Sequence, residues 1–281
     1  MIVRPVTAMT TMTAALRWVV LIVAVLVLNF PILATLITSI KKTVDINAFP
    51  PKWIFTPTLD HYREVLFTEN TNYLSYIWNS VVIASGGTLL AIFLTFPAAY
   101  AIARYRTGAT WLLPIVASLR ALPLIIFAIP FYFMYQYVGL LDTKIGLALI
   151  ACIINIPLAL LMLVGFIQDI PRELDEAGRL DGAKLWQILF YIILPAALPI
   201  LLAVSILSFI YAWNEFLFGL ILATKKAVPV TVGATFFVTS YGVKWGATAA
   251  AMMLGVLPPM ILGFFAYPYI GKSMLRGAVK G

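Results

Sequence analysis

Long apolar stretches alternate with short polar segments along the whole chain. Six such stretches lie at about residues 15–40, 77–102, 111–137, 145–167, 191–223 and 246–270. Each exceeds the roughly 20 residues that an α-helix needs to cross a hydrocarbon core of about 30 Å. Lipid cannot hydrogen-bond an exposed backbone, and the residue alternation of a membrane β-barrel is absent. The pattern therefore predicts an all-α integral membrane protein with six transmembrane helices.

The composition excludes several classes of protein. Of the 281 residues, 63% are hydrophobic and only 11% are charged, whereas soluble domains carry roughly 25% charged residues. Soluble enzymes, nucleic-acid-binding modules and disulfide-rich secreted domains do not fit. The net charge of +8 fits a membrane protein whose spans end in basic residues. The single cysteine, Cys152, and the single histidine, His61, predict neither an internal disulfide nor a metal site.

The apolar stretches also define the expected parts of the chain. These are a cytoplasmic N-tail at 1–14, a first transmembrane helix at 15–40, an external segment at 41–76, a five-helix core at 77–270 and a cytoplasmic C-tail at 271–281. Six spans place both termini on one side of the membrane. Basic residues at the span ends on that side, Arg104 and Arg106 among them, favour the cytoplasm.

The loop at 168–190 has the pattern of a short helix outside the membrane. Pro171 fits a first helical turn, where its missing N–H is harmless. Three acidic residues follow at the positive end of the helix dipole, namely Glu173, Asp175 and Glu176. Gly182 can adopt the left-handed conformation that ends a helix. A second short helix is predicted from residue 183 to about residue 191, leading into the fifth span.

The same loop carries a motif with fixed spacing. Glu176, Ala177 and Gly178 are followed by three residues, Gly182, nine residues and then Ile-Ile-Leu-Pro, which ends at Pro195. This spacing resembles the signature loop of binding-protein-dependent ABC importer permeases. In the family pattern a second alanine stands at the position of Gly178, so the chain departs from the pattern at one residue.

Four further segments resemble the carbohydrate branch of that family, the branch of maltose-type importers. They are residues 56–62 after the first span, residues 98–106 at the end of the second span, residues 209–216 in the fifth span and residues 276–281 at the C-terminus. The C-terminal segment is similar to the tail of the shorter, six-span subunit. The resemblance therefore extends over most of the chain.

The resemblance implies the type I ABC importer permease fold in a bacterial inner membrane. It implies a heterodimer with a longer permease, two ATPase subunits and an extracytoplasmic solute-binding protein. The chain has no GxxxxGK[ST] phosphate loop. We therefore expect no enzyme activity and no cofactor on this chain, with ATP and Mg²⁺ used by the ATPase subunits. The residues expected to couple to the ATPase are Glu176, Ala177, Gly178, Asp181, Gly182, Leu194 and Pro195.

Two charged residues fall well inside predicted spans, Arg120 in the third and Glu215 toward the end of the fifth. Charge inside a membrane is costly, so such residues usually face a cavity or a protein partner. Three alternatives stay open from the sequence. The two residues form a direct pair, they serve a pathway or a subunit interface, or Glu215 lies near the external end of its span.

Aromatic and neutral polar side chains within the spans suit a pathway for sugars, which bind through aromatic planes and hydrogen bonds. The candidates are Tyr132, Tyr135, Asn155, Ser205, Ser208, Tyr211 and Asn214. The alternative is that the small polar residues form a packing seam between helices.

The outer segment at 224–245 is longer than a plain connection requires. It is basic, and we expect Lys225, Lys226 and Tyr241 to contact the solute-binding protein; the alternative is a simple connector. The predicted function is thus a permease subunit that imports a sugar or polyol and forms half of the pathway. One alternative is the same machine carrying glycerol phosphate, although Arg120 is the only basic residue deep inside a predicted span. A secondary transporter would be expected to show more intramembrane carboxylates and an inverted repeat.

Overall fold

A computed structural model describes the backbone of residues 8–68 and 72–278, and the side chains of residues 16–68 and 72–265. The predicted N-tail and C-tail lie partly outside these described residues. Where the tails are described they are helical, because the first helix already begins at Ala8 and the last one ends at Ala278.

Among the residues that the structure describes, five helices are long and apolar enough to cross a membrane. They are α1 (Ala8–Ser39), α4 (Tyr73–Tyr105), α7 (Lys144–Asp169), α10 (Leu194–Trp213, extended at its start by shorter helical turns) and α12 (Trp245–Ala278). Two short helices, α2 (Thr43–Ile46) and α3 (Asp60–Phe67), lie in the predicted external segment. A bent pair of helices between α4 and α7 raises the number of spans to as many as six.

The third predicted span is not one continuous helix. It consists of α5 (Leu112–Leu119) and of a 3₁₀ turn (Leu124–Phe127) that runs into α6 (Ala128–Val138), and the two parts are bent by 97°. The break falls at Pro123, whose backbone is extended. Proline disfavours the α conformation at the residue before it, which is Leu122. The third apolar stretch therefore forms a bent pair of helices, where the sequence predicted one helix.

The fifth predicted span is also interrupted. The π-helical turn Ile188–Ile193 and α10 form its first part, and α10 ends at Trp213. A separate short helix, α11 (Leu217–Leu222), takes up the remaining apolar residues. Glu215 marks the break, since its carboxylate accepts hydrogen bonds from the first backbone N–H groups of α11. The expectation of a single helix from 191 to 223 was wrong for this reason.

The helices of the central unit, residues 72–236 and 255–281, pack through small residues. A Cβ atom at Gly87 of α4 would collide with Ala151 of α7, so glycine lets these two backbones approach closely. Asn155 of α7 donates a hydrogen bond to the carbonyl oxygen of Ser208 in α10, at 3.1 Å. The three helices thereby form the packed core of this unit.

Residues 1–71 and 237–254 form the other unit. Its strands β1 (Val238–Thr239) and β2 (Gly242–Val243) make a two-stranded antiparallel hairpin, a minor departure from the all-α prediction. His61 of α3 is buried, and its Nε2 lies 2.9 Å from the carbonyl oxygen of Lys41. The side chain of Lys244 pairs with Glu64 of α3 at 2.7 Å. These contacts give the predicted external segment a defined structure.

Candidate coupling site

The loop between α7 and α10 contains the predicted short helix, α8 (Glu173–Leu180). Its first turn is acidic and its last turn carries Arg179, both of which favour the helix dipole. Gly182 has φ +79°, and the N–H groups of Gly182 and Ala183 donate to the carbonyl oxygens of Arg179 and Gly178. This is the Schellman arrangement, in which glycine adopts the left-handed conformation without steric penalty. The predicted end of the helix at Gly182 is confirmed.

The two faces of α8 differ sharply. Asp175 and Gly178 are buried against the rest of the central unit. Glu176 and Ala177 are exposed, and Leu180 is 89% exposed. One side of α8 is thus held by the central unit, and the other side is an uncovered acidic and apolar surface. Another protein can bind to that uncovered surface.

Asp175 anchors the inner face of α8. Its Oδ2 lies 2.9 Å from Nε of Arg104 in α4, and the two side chains are only 5% and 4% exposed. The hydroxyl group of Tyr100, one turn earlier in α4, donates a hydrogen bond to Oδ1 at 2.5 Å. The buried carboxylate therefore ties the loop helix to the end of a membrane span.

Sequence reasoning missed this anchor. It assigned Asp175 to the helix dipole and Arg104 to the basic flank of a span. The available signal was the spacing of Asp175 and Gly178, three residues apart on one helical face. That spacing does not identify Arg104 as the partner, because the two residues are 71 positions apart in the chain.

A second contact joins the same two helices at the surface. Nη2 of Arg179 donates a hydrogen bond to the hydroxyl oxygen of Tyr105 at 2.8 Å. The guanidinium carbon also lies 5.7 Å from the centre of the Tyr105 ring. Because Arg179 is exposed, this contact contributes less than the buried pair.

Gly178 connects α8 to the start of α10. An added Cβ atom at this position would lie 2.7 Å from Cδ1 of Ile192 and 3.2 Å from Cγ1 of Ile188. Both isoleucines belong to the π-helical turn that precedes α10. The glycine that replaces the family's second alanine thus has a packing reason in this structure.

Leu194 and Pro195 begin α10 directly after that turn. The predicted helix at 183–191 is present only as α9 (Leu185–Gln187) followed by the π-helical turn. Pro195 cannot donate a backbone hydrogen bond, and π-helical turns are common at such discontinuities. A displacement of α8 would therefore reach α4 through Asp175 and α10 through Gly178.

Some of the predicted pathway residues are buried in this conformation. Asn155 and Ser208 are 0% exposed and lie at the contact of α7 and α10. Tyr135 is 3% exposed, and its hydroxyl donates to the carbonyl oxygen of Gly146 at 2.9 Å. For these three residues the structure shows helix packing, and a pathway role would require the helices to separate.

The other predicted pathway residues are more accessible. Tyr132 and Tyr211 are 38% and 45% exposed. Ser205 is half-buried and donates to the carbonyl oxygen of Leu201, while Asn214 is exposed and donates to that of Ile210. These four residues can reach solvent or a ligand in the present conformation.

Arg120 and Tyr211 line a common cavity of about 180 Å³. Arg120 is the residue at which α5 ends, so it lies at the helix break and not in the middle of a continuous span. The remaining lining is apolar and aromatic, and includes Phe131 and Phe218. Within the described part of the chain Arg120 forms no ion pair, and Glu215 caps α11 instead. The direct Arg120–Glu215 pair is therefore absent.

Residues 87–276 match the model of a protein family described as the inner membrane component of binding-protein-dependent transport systems. The chain belongs to this family. It is the membrane-spanning permease component of such a system, and the family implies ATPase and binding-protein partners. The resemblance found in the signature loop is thereby confirmed.

Individual relatives agree with this assignment. The permease is 33% identical to the trehalose/maltose transport system permease protein MalG of Thermococcus litoralis, over 81% of this chain and 83% of that protein. It is 29% identical to the sulfoquinovosyl glycerol transport system permease protein SmoH of Agrobacterium fabrum, over 90% of this chain and 89% of that protein. A chain of a bacterial ABC transporter involved in the import of the acidic polysaccharide alginate superposes with a TM-score of 0.73 at 21% identity, covering 96% and 99% of the two chains. The permease therefore has the type I importer fold.

At the other end of its central unit the permease has an ordered bend that includes Lys225 and Lys226. The carboxylate of Asp142, which lies between α6 and α7, accepts hydrogen bonds from four consecutive backbone N–H groups, residues 224–227, at 2.9–3.1 Å. The side chains of both lysines stay exposed. Sequence reasoning missed Asp142, whose left-handed φ of +53° is not visible in the residue pattern.

The bend also changes the acidity of Asp142. Burial by itself would raise the pKa of its carboxyl group, but the backbone N–H groups favour the charged form and together lower the pKa to about 2. The ionised carboxylate thus fixes the bend at neutral pH. Tyr241, the third predicted contact of the binding protein, is fully exposed at the turn of the β1–β2 hairpin in the other unit.

Proposed function

We propose that this permease is the shorter subunit of an ATP-driven importer for a sugar or polyol. In this proposal it pairs with a longer permease in a bacterial inner membrane, and both of its termini face the cytoplasm. The observation that carries the coupling role is the two-sided α8. Its outer face is uncovered at Glu176 and Leu180, while its inner face is held by a buried ion pair.

Two ATPase subunits that close on ATP would move α8 as a rigid body. The displacement would pass to α4 through the Asp175–Arg104 pair and to α10 through the close contact at Gly178. Packed helices respond to such a displacement by tilting or sliding, which changes access to the space between them. Glu176 supplies a charged acceptor for a hydrogen bond from the ATPase.

The cargo assignment is supported by the relatives and by the cavity at the broken third span. One relative is a trehalose/maltose transport system permease and another is a sulfoquinovosyl glycerol transport system permease. Aromatic planes next to Tyr211 suit stacking against a sugar ring, and the hydroxyl group of Tyr211 can form a hydrogen bond. Arg120 adds one positive charge, which favours a sugar with an anionic group as a second candidate cargo.

Reconstitution in liposomes tests this proposal. The permease, its companion permease, the ATPase subunits and the solute-binding protein would be assembled, and uptake of maltose, of an acidic sugar and of glycerol phosphate compared. We expect sugar uptake that requires both ATP and the binding protein. Uptake of glycerol phosphate alone would contradict the sugar assignment, and uptake without ATP would contradict the importer assignment.

Substitution of Tyr211 tests the cavity separately. Tyr211→Ala should lower sugar uptake by about tenfold, whereas Tyr211→Phe should retain part of it because the ring remains. Phe93→Ala is the matched control, since Phe93 is 72% exposed on α4 and does not line the cavity. Equal uptake by Tyr211→Ala and Phe93→Ala would show that the cavity is not part of the pathway.

A further inference from the structure

A second cavity, of about 450 Å³, lies beside the junction of α4 and α8. Three arginines contribute to its lining, Arg104, Arg106 and Arg172, together with the polar side chains of Gln168 and Thr110. Among the described residues that line the cavity, none is acidic. Asp175, the carboxylate that pairs with Arg104, is not among these lining residues.

Arg104 leaves part of its hydrogen-bonding capacity unused. Its side chain is only 4% exposed and its Nε faces Asp175. Its Nη2 atom is buried and has no hydrogen-bond partner among the described residues. A buried donor without an acceptor is unfavourable, so an oxygen-rich anion in the cavity would satisfy a group that the protein itself leaves unpaired.

The other two arginines approach the cavity from the surface. Arg106 follows the last residue of α4 and has φ +57°, which turns the chain back toward α5. Arg172 directly precedes α8. Both are exposed, and two guanidinium groups near a buried third one can bind several oxygens of one tetrahedral anion.

The position of the cavity indicates the class of anion. Trp111, just after the Arg106–Thr110 turn, is 62% exposed, as is typical of tryptophan at the level of lipid headgroups. Basic pockets between spans on the cytoplasmic side bind phosphate-bearing headgroups. The placement of this cavity on the cytoplasmic side rests on the proposed function. The cluster of three arginines is seen in the structure itself.

We propose that this cavity binds a phosphate group, supplied either by the headgroup of an anionic phospholipid or by free phosphate. Bound there, the phosphate would contact Arg104 on α4 and Arg172 at the start of α8. It would therefore strengthen the junction through which α8 is held to the membrane span.

The test uses the assembled transporter in nanodiscs of phosphatidylcholine with phosphatidylglycerol. Native mass spectrometry would count the phosphatidylglycerol molecules retained by the unaltered complex and by the double variant Arg106→Gln/Arg172→Gln. A basic side chain near anionic lipid contributes about a fivefold change in affinity. The double variant should therefore bind the lipid about 25-fold more weakly. The matched control is Lys42→Gln/Arg63→Gln, which removes two exposed charges from the other unit.

A second arm distinguishes the source of the phosphate. Equilibrium dialysis with labelled inorganic phosphate, in nanodiscs of phosphatidylcholine alone and without ATP, would compare the same three complexes. Loss of lipid retention specific to the double variant supports a headgroup, and loss of phosphate binding specific to it supports the free ion.

The proposal is overturned if all three complexes retain equal lipid and bind equal phosphate. It is also overturned if neither ligand binds and the variant Arg172→Cys crosslinks to an ATPase subunit, since the cavity would then be a protein contact. Lipid retention and phosphate binding are both binding measurements, so their outcome does not depend on whether the cargo is a sugar.

Discussion

Replacing Asp175 by asparagine is expected to loosen α8 from α4. Asparagine has nearly the same volume, so the substitution removes the charge and leaves the packing in place. Arg104 would then keep its charge with only 4% of its side chain exposed. Removing one partner of a buried ion pair costs about 3–5 kcal/mol, because the other charge stays buried without compensation. The backbone amides of α8 should therefore exchange with solvent on the order of 100-fold faster or more.

Hydrogen–deuterium exchange of the α8 peptide in the nanodisc-embedded complex measures this change. Glu173→Gln is the matched control, since it removes one negative charge from the same helix at an exposed position. Surface substitutions usually change stability by no more than about 0.5 kcal/mol, so exchange in the control should rise by less than about threefold. Asp175→Asn should also lower ATP-driven uptake while the ATPase subunits still bind.

The double variant Arg104→Gln/Asp175→Asn separates the ion pair from other effects. It removes both buried charges, so no charge is left buried without a partner, which is the source of the cost in the single variant. Exchange should therefore be slower in the double variant than in Asp175→Asn. The reasoning is refuted if Asp175→Asn exchanges no faster than Glu173→Gln, or if the double variant recovers nothing.

Three further outcomes are expected. Gly178→Ala should leave uptake nearly unchanged, because the gain in helix propensity of about 1 kcal/mol offsets the cost of a small shift of Ile192. Gly178→Leu should abolish uptake, because the larger side chain does not fit the close contact with Ile192. Uptake by the two variants, measured side by side, checks this contact. Glu176→Ala should release the ATPase subunits on co-purification. It should leave α8 exchange unchanged when the permease is measured without the ATPase, since Glu176 is exposed. If the ATPase subunits still co-purify, Glu176 does not dock them. The Asp142 bend should be ordered above the ordinary pKa of the carboxyl group, 3.8, and should loosen as the pH falls toward 2, because a lowered pKa stabilises only the ionised form. A spin label at Thr224 should report that change, and Asp142→Asn should be mobile at every pH.

Much of the fold follows from local pattern alone. The apolar stretches predicted the long helices, whose ends differ from the prediction by only a few residues at α4 and α7. The loop helix and its end at Gly182 could also be predicted from the sequence. Charges near a helix end and a left-handed glycine stabilise structure that is only a few residues long.

The helix breaks were harder to predict, although their cause is local in part. Pro97, Pro157 and Pro199 all lie inside continuous helices. Among the described residues, the sharply bent pair of apolar helices has its break at Pro123. A proline permits a break, but whether the helix continues depends on the packing around it, which the sequence does not state.

The sequence by itself determined the membrane class, most of the long helices and the position of the loop helix α8, because hydrophobic periodicity and terminal residues act over short distances. Only the tertiary structure decided which of its acidic residues anchors that helix. Asp175 and Glu176 are neighbours of similar chemistry, yet one is buried against Arg104 and the other faces outward. The difference arises from the path of α4, which brings a residue 71 positions away within 2.9 Å.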